Sequence, residues 1–68
     1  MGQVLRSRIG LLTIEELATT LEVAAETLRE WRRLKTGPDY VKAGKMVMYR
    51  EIDVAQWLER NVVPAYLA

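Results

Sequence analysis

Two arginines with acidic neighbours are the residues of this chain best suited to bind a ligand. Arg29 and Arg33 lie one helical turn apart, and a guanidinium can pair bidentately with guanine or with a phosphate. Glu26 and Glu30 precede them at helical spacing, so each arginine could instead form an ion pair worth roughly 0.2–0.5 kcal/mol. The glutamates could also accept from a cytosine amino group, or orient the arginines and penalise wrong sequences. These residue types favour contact with nucleic acid and leave the ion-pair interpretation open.

Basic residues are concentrated in the middle of the chain. Residues 24–50 carry seven Lys and Arg against three Asp and Glu, a net charge of +4, whereas the whole chain carries +1. The segments on either side, 1–23 and 51–68, carry −1 and −2. Such a concentration is typical of a phosphate-binding surface, although a solvated surface of mixed charge would show the same counts.

The composition excludes several classes of function. The 68 residues include no Cys and no His, which removes disulfides, thiolate or imidazole metal sites and Cys/His nucleophiles. The carboxylates lie among Lys and Arg on predicted helix surfaces, so we expect no enzyme, no bound metal and no cofactor. No apolar run approaches the ~18 residues of a membrane span, and the N-terminus lacks the apolar stretch of a signal peptide. We expect a cytoplasmic protein without a membrane partner.

Two short amphipathic segments must position the arginines. Thr13 and Glu16 form a capping-box pattern, and the apolar residues that follow predict a first helix near 14–20. Residues 21–23 form a corner. Two helices joined by so short a turn form a helix-turn-helix unit, which presents its second helix to the DNA major groove.

The second helix begins at Ala24, which offers no side-chain cap, and Gly37 with Pro38 is expected to end it. Its exposed face is predicted to carry the two glutamates and two arginines described above. Its inward stripe is predicted to be Ala24, Leu28, Trp31 and Leu34.

A hairpin and a third helix complete the predicted fold. Strand-like runs at 40–42 and 46–49 flank Ala43 and Gly44, which favours a tight hairpin. Residues 50–61 predict a helix with acidic residues in its first turn and a buried stripe of Val54, Trp57, Leu58 and Val62. The predicted class is mainly α with a small β-hairpin: a winged helix-turn-helix with a two-stranded wing and a C-terminal helix. We assign residues 1–10 to a flexible tail, 11–61 to the DNA-binding domain and 62–68 to an apolar tail.

Several short motifs occur in a characteristic order between residues 11 and 60. They are Leu12-Thr13-x-x-Glu16-x-Ala18, Leu21-x-Val23, Thr27-Leu28-x-x-Trp31, Gly37-Pro38-x-Tyr40-Val41-Lys42-x-Gly44-x-x-Val47-x-Tyr49-Arg50 and Asp53-Val54-x-x-Trp57-Leu58. In order and spacing they resemble the excisionase/MerR-like family of small winged helix-turn-helix domains, whose phage members are recombination directionality factors.

The sequence departs from the pattern of that family at four places. Glu22 stands at a corner that usually has Gly, and Ala24 stands where a Ser usually caps the second helix, at a cost of about 1 kcal/mol. Glu26 and Glu30 occupy positions that are often basic. The methionines at 46 and 48 replace residues that are often Arg. The last two departures weaken the attraction to phosphate.

The resemblance implies a recognition helix in the major groove and a wing in the minor groove. The DNA contacts expected on the helix are Ala25, Glu26, Thr27, Arg29, Glu30, Arg32 and Arg33. On the wing they are Lys42 and Lys45, and weaker contacts to the DNA backbone are expected from Arg6, Arg8, Lys35 and Arg50. Thr27 could equally well cap the helix or fill space.

An apolar partner surface is a more speculative expectation. By the family pattern Val47 and Tyr49 face inward, which would leave Met46 and Met48 exposed for contact with a protein. Alternatively, the methionines pack on the C-terminal tail. In that tail, the expected partner contacts are Val63, Tyr66 and Leu67.

The resemblance implies an excisionase. Such a factor binds repeated sites in the attachment-site arm, cooperatively where copies associate, bends the DNA and directs a phage tyrosine integrase toward excision. It would act in the bacterial cytoplasm, associated with the nucleoid. One alternative is a small phage or plasmid transcriptional regulator of the same fold. A second is a protein-interaction module that has lost DNA binding, suggested by the acidic and methionine positions.

Overall fold

Three helices and a three-stranded antiparallel sheet make up the chain in a computed structural model that describes residues 10–67. This architecture is consistent with a winged helix-turn-helix and confirms the predicted fold class. None of the helices within these residues is long and apolar enough to cross a membrane. The elements in chain order are β1 (Leu11–Thr13), α1 (Ile14–Leu21), α2 (Ala25–Arg33), β2 (Val41–Ala43), β3 (Met46–Arg50), α3 (Glu51–Arg60) and a 3-10 turn (Ala65–Leu67).

The first strand, β1, was missed in the sequence. It pairs with β3, so that the sheet has the order β1-β3-β2, with Leu12 opposite Tyr49 and Thr13 opposite Met48. Gly10, just before β1, accepts a hydrogen bond of 2.7 Å from the Glu51 amide at the start of α3. The predicted two-stranded wing is therefore part of a three-stranded sheet. One strand, β1, precedes α1 in the chain, and the other two follow α2.

The capping box that starts α1 is confirmed. The Glu16 amide donates to the Thr13 hydroxyl at 3.0 Å, and the Thr13 amide donates to the Glu16 carboxylate at 2.8 Å. At the other end, Glu22 adopts the left-handed conformation, with φ 57°. The Val23 amide then bonds to the Ala18 carbonyl at 3.0 Å in a Schellman arrangement. The corner therefore places a glutamate where glycine is usual.

The end of α2 repeats this arrangement with another non-glycine residue. Lys35 has φ 58°, and the Thr36 amide donates to the Trp31 carbonyl at 2.8 Å. The helix therefore ends at Arg33, before the Gly37-Pro38 pair that was expected to end it. Gly37 has a different role, because a Cβ atom there would lie 2.9 Å from Cε3 of Trp31.

The core joins the helix-turn-helix to the sheet and to α3. Its buried residues are Leu17, Ala18, Leu28, Tyr49 and Val54. The rings of Trp31 on α2 and Trp57 on α3 lie against each other, with centroids 5.4 Å apart and planes inclined by 42°. This contact fixes the C-terminal helix to the second helix.

Four apolar positions were wrongly assigned to buried stripes. Ala24 is exposed because it is the extended N-cap of α2, and Ala25 packs against the core instead. Leu34 and Val62 lie beyond the ends of their helices and are exposed. Leu58 is also exposed, because α3 is held to the rest of the domain through Val54 and Trp57.

The prediction for the second strand of the hairpin was right for three of its four residues. Tyr49 is buried and Val47 packs against the core, as expected, and Met46 is 61% exposed. Met48, however, is buried at 7% exposure, so the prediction that it is exposed was wrong. The reason is β1: Met48 lies in the central strand, between Thr13 and Val41.

Candidate nucleic-acid interface

The outward face of α2 carries alternating charges. Since Ala25, Leu28 and Trp31 pack inward, the 3.6-residue period places Glu26, Glu30 and Arg33 on the opposite side. Arg29 and Thr27 flank that side. The structure therefore brings together on one surface five of the residues expected to contact DNA.

Arg29 is held by two carboxylates. Its Nη1 lies 2.8 Å from Oε1 of Glu26, and its Nη2 lies 3.5 Å from Oε2 of Glu15 on α1. The side chains of both glutamates are largely exposed, at 85% and 71%, and that of Arg29 is 41% exposed. Glu15 was not singled out in the sequence, because its partner lies on the next helix and only the packing of the two helices brings them together.

Arg33 is paired with Glu30. Its Nε lies 2.9 and 3.0 Å from the two carboxylate oxygens, and its side chain is 70% exposed. Both arginines thus form the i,i+3 pairs that were the alternative to DNA contact. Exposed pairs contribute about 0–1 kcal/mol, whereas a bidentate contact with a base contributes about 1–3 kcal/mol. Pairs this weak do not prevent either arginine from exchanging its glutamate for another hydrogen-bond acceptor.

Arg32 turns away from that face toward the sheet. Its Cζ lies 5.6 Å from the centroid of the Tyr40 ring, a cation–π distance, and the Tyr40 ring lies 6.2 Å from that of Tyr49. The Nε of Arg32 is buried and has no hydrogen-bond partner within residues 10–67. Burial raises the pKa of the Tyr49 phenol, so the ring that joins Tyr40 to the core is neutral. Arg32 therefore ties α2 to the start of β2.

The lysines around the wing have a different environment. Lys42 lies in β2, and Lys45 follows Gly44 at the tip of the hairpin, where the glycine has φ 60°. Lys35 lies in the turn after α2. All three are exposed, and none forms an ion pair in the part of the chain that the structure describes. Their ammonium groups are available to an anion without displacing a carboxylate.

Arg50 is engaged in a contact within the fold. Its Nε and Nη2 donate to the two carboxylate oxygens of Asp53 at 2.6 and 2.8 Å. Asp53 is buried, and these hydrogen bonds hold the pKa of its carboxyl below the usual value. A DNA contact by Arg50 would have to compete with this pair.

The remaining candidates have mixed positions. Ala25 packs its side chain on the core, which leaves little of it for a base. Thr27 is half-buried, and its amide donates to the Ala24 carbonyl at 2.9 Å. The tail residues Val63, Tyr66 and Leu67 are all exposed, so they are accessible to a partner, whereas Arg6 and Arg8 lie outside the described residues.

Comparison with known proteins gives one result. A family model described as a helix-turn-helix domain matches residues 11–62, which include the three α-helices and the three strands described above. No curated protein and no solved structure matches the chain. The match extends over well more than half of the sequence, and the chain therefore belongs to the helix-turn-helix domain family.

Proposed function

We propose that this protein binds double-stranded DNA in a sequence-specific manner, with α2 in the major groove and the β2–β3 hairpin against the adjacent backbone or minor groove. The observation that carries the proposal is the division of the basic residues between these two elements. Arg29 and Arg33 project from the outward face of α2, and Lys42 and Lys45 project from the hairpin. Guanidinium groups suit base edges, and lysines suit phosphates.

We further propose that the protein is an excisionase: an accessory factor that binds repeats in an attachment-site arm, bends them and directs a tyrosine integrase toward excision. The support is the resemblance of the motifs between residues 11 and 60 to that family, together with the membership of the helix-turn-helix family. The exposed apolar residues Val63, Tyr66 and Leu67 would contact the integrase or a neighbouring copy on the DNA. The protein would do this in a bacterial cytoplasm, without catalysis of its own.

A salt titration tests the first proposal. Binding to a labelled duplex is measured by fluorescence anisotropy over a range of salt concentrations, and we expect the logarithm of affinity to fall steeply with the logarithm of salt. A flat dependence, or no binding at low salt, would contradict DNA binding and favour a protein-interaction module.

An excision assay tests the second proposal. A plasmid that carries both product attachment sites of a phage tyrosine integrase is incubated with that integrase, with and without the protein. We expect excision only when the protein is present, while integration by the same integrase proceeds without it. If salt-dependent DNA binding is found but excision is unaffected, the excisionase role is wrong and a transcriptional regulator becomes the better assignment.

A further inference from the structure

The ion pair between Glu15 and Arg29 joins the two helices of the helix-turn-helix unit. Glu15 is in the first turn of α1, and its carboxylate lies 3.5 Å from Nη2 of Arg29 on α2. Arg29 also bonds to Glu26 within its own helix, at 2.8 Å. Two carboxylates on different helices therefore hold one guanidinium, whereas Arg33 pairs with Glu30 alone within residues 10–67.

The second carboxylate changes the charge of the recognition surface. Glu30 and Arg33 cancel each other, but Glu15 and Glu26 together exceed the single charge of Arg29. The three charged groups of this cluster therefore sum to −1, although Arg29 lies in the basic segment 24–50. A negative surface is repelled by DNA phosphates unless a base contact compensates for the repulsion.

We infer that Glu15 is a specificity-determining positioning residue, which acts on DNA through Arg29. This inference rests on the proposed DNA binding. Where a duplex presents guanine, its O6 and N7 replace a carboxylate at the Arg29 guanidinium, and a released glutamate can accept from a cytosine amino group. Where no guanine is presented, the carboxylates face the phosphates without a base contact that compensates for the repulsion. Glu15 therefore weakens binding to wrong sequences more than binding to the right one.

The test compares Glu15→Gln with the matched control Glu59→Gln. Glu59 is an exposed glutamate on α3 that forms no ion pair among residues 10–67, so both variants lose one negative charge. The probes are a duplex selected by the wild-type protein from a randomised library and a shuffled duplex of equal length and composition. Specificity is the ratio of the two dissociation constants, shuffled over selected.

We expect Glu15→Gln to lower this ratio by about twofold to fivefold, the effect of one exposed ion pair, and Glu59→Gln to leave it unchanged. In an Arg29→Ala background, Glu15→Gln should have no effect on the ratio, because Glu15 acts through that arginine. If Glu15 were only structural, Glu15→Gln would change thermal stability, and its effect on the ratio would not depend on the presence of Arg29.

Equal ratios in Glu15→Gln and wild type would overturn the inference, as would equal changes in Glu15→Gln and Glu59→Gln or an undiminished effect in the Arg29→Ala background. In those cases steep, salt-dependent binding by the wild-type protein would leave the proposed function intact. Absence of such binding would overturn both.

Discussion

The basic residues of the second helix and those of the wing have opposite environments, although both belong to the same basic segment of the sequence. Arg29 and Arg33 are each held by a carboxylate, whereas Lys42 and Lys45 have no ion-pair partner within residues 10–67. A paired guanidinium gains from contact with DNA only where a base replaces the hydrogen bonds to its carboxylate. An unpaired ammonium can bind any phosphate. Under the proposed function, the difference predicts that α2 supplies sequence discrimination and that the wing supplies general affinity. Net charge alone would not show this division.

Replacing the glycine between the two regions should have the largest effect. Gly37 has φ 84°, and an added Cβ would meet the Trp31 ring at 2.9 Å, so Gly37→Ala combines backbone strain with a clash. We expect the free energy of unfolding to fall by about 2–3 kcal/mol, a large part of the stability of a domain this small. Urea denaturation measures it.

The control for this prediction is Gly44→Ala at the hairpin tip. Gly44 has φ 60°, but no heavy atom lies within 4 Å of its added Cβ, so this variant reports the backbone strain alone. Equal losses in the two variants would mean that the contact of Gly37 with Trp31 contributes nothing.

Removing an arginine from the helix should impair discrimination. Arg29→Ala is expected to weaken binding to the selected duplex by about 1–3 kcal/mol and to weaken binding to the shuffled duplex much less. Competition gel shifts with both duplexes measure the two losses. Arg60→Ala, at the end of α3, removes the same charge without touching the recognition surface. Equal losses on both duplexes would show that Arg29 contacts phosphate only.

Removing a lysine from the wing should reduce general affinity. Lys45→Ala is expected to weaken binding to both duplexes by the same factor and to reduce the salt slope by about 1. Anisotropy titrations at several salt concentrations give both quantities. A loss confined to the selected duplex would place sequence discrimination in the wing and reverse the comparison.

The corner before the second helix offers a smaller test, in which stability changes without any change in contacts. Glu22 has φ 57°, a conformation that glycine adopts freely, so Glu22→Gly should raise the free energy of unfolding by up to about 1 kcal/mol. Thermal denaturation measures the gain. Glu22→Gln removes the same charge but keeps the strain, and it should not share the gain. A loss of stability in Glu22→Gly would indicate that the greater flexibility of the unfolded chain outweighs the relief of strain.

The pair between Arg50 and Asp53 should give the smallest effect and a clear pH dependence. The pKa of Asp53 is depressed in the folded protein, so its contribution to stability is present above the unfolded pKa of about 3.9 and is lost as the pH falls through the folded value. We expect Asp53→Asn to lower the melting temperature at neutral pH and to match the wild type in strong acid. Arg50→Ala should have the same effect on stability and leave the salt dependence of DNA affinity unchanged. A weaker salt dependence would show that Arg50, like the lysines of the wing, contacts phosphate.

Local signals in the sequence predicted most of the fold. The capping box at Thr13 and Glu16 requires only neighbouring residues, and the helical period placed Leu17 and Leu28 in the core correctly. Strand β1 was missed because three residues cannot show an alternating pattern, and the burial of Met48 depends on that strand. The order of the three helices and the hairpin was predictable because the capping box, the short corner and the Gly44 turn are local signals.

The candidate site was predictable only within single helices. The pairs of Arg29 with Glu26 and of Arg33 with Glu30 follow from a spacing of three residues. The contact of Glu15 with Arg29 and the stacking of Arg32 on Tyr40 depend on how separate elements pack. The spacing of residues within one helix or strand does not predict such contacts. The contacts that distinguish one arginine from another are thus tertiary.

The tryptophan pair has an optical consequence. Because Trp31 belongs to the helix proposed to enter the groove and Trp57 to the last helix, their indoles at 5.4 Å are close enough for coupled electronic transitions. The near-ultraviolet circular dichroism of the protein should therefore contain a signal that neither indole produces alone. Either Trp31→Phe or Trp57→Phe should abolish it. This intrinsic signal would report, without any label, whether the last helix stays docked while the second helix engages DNA.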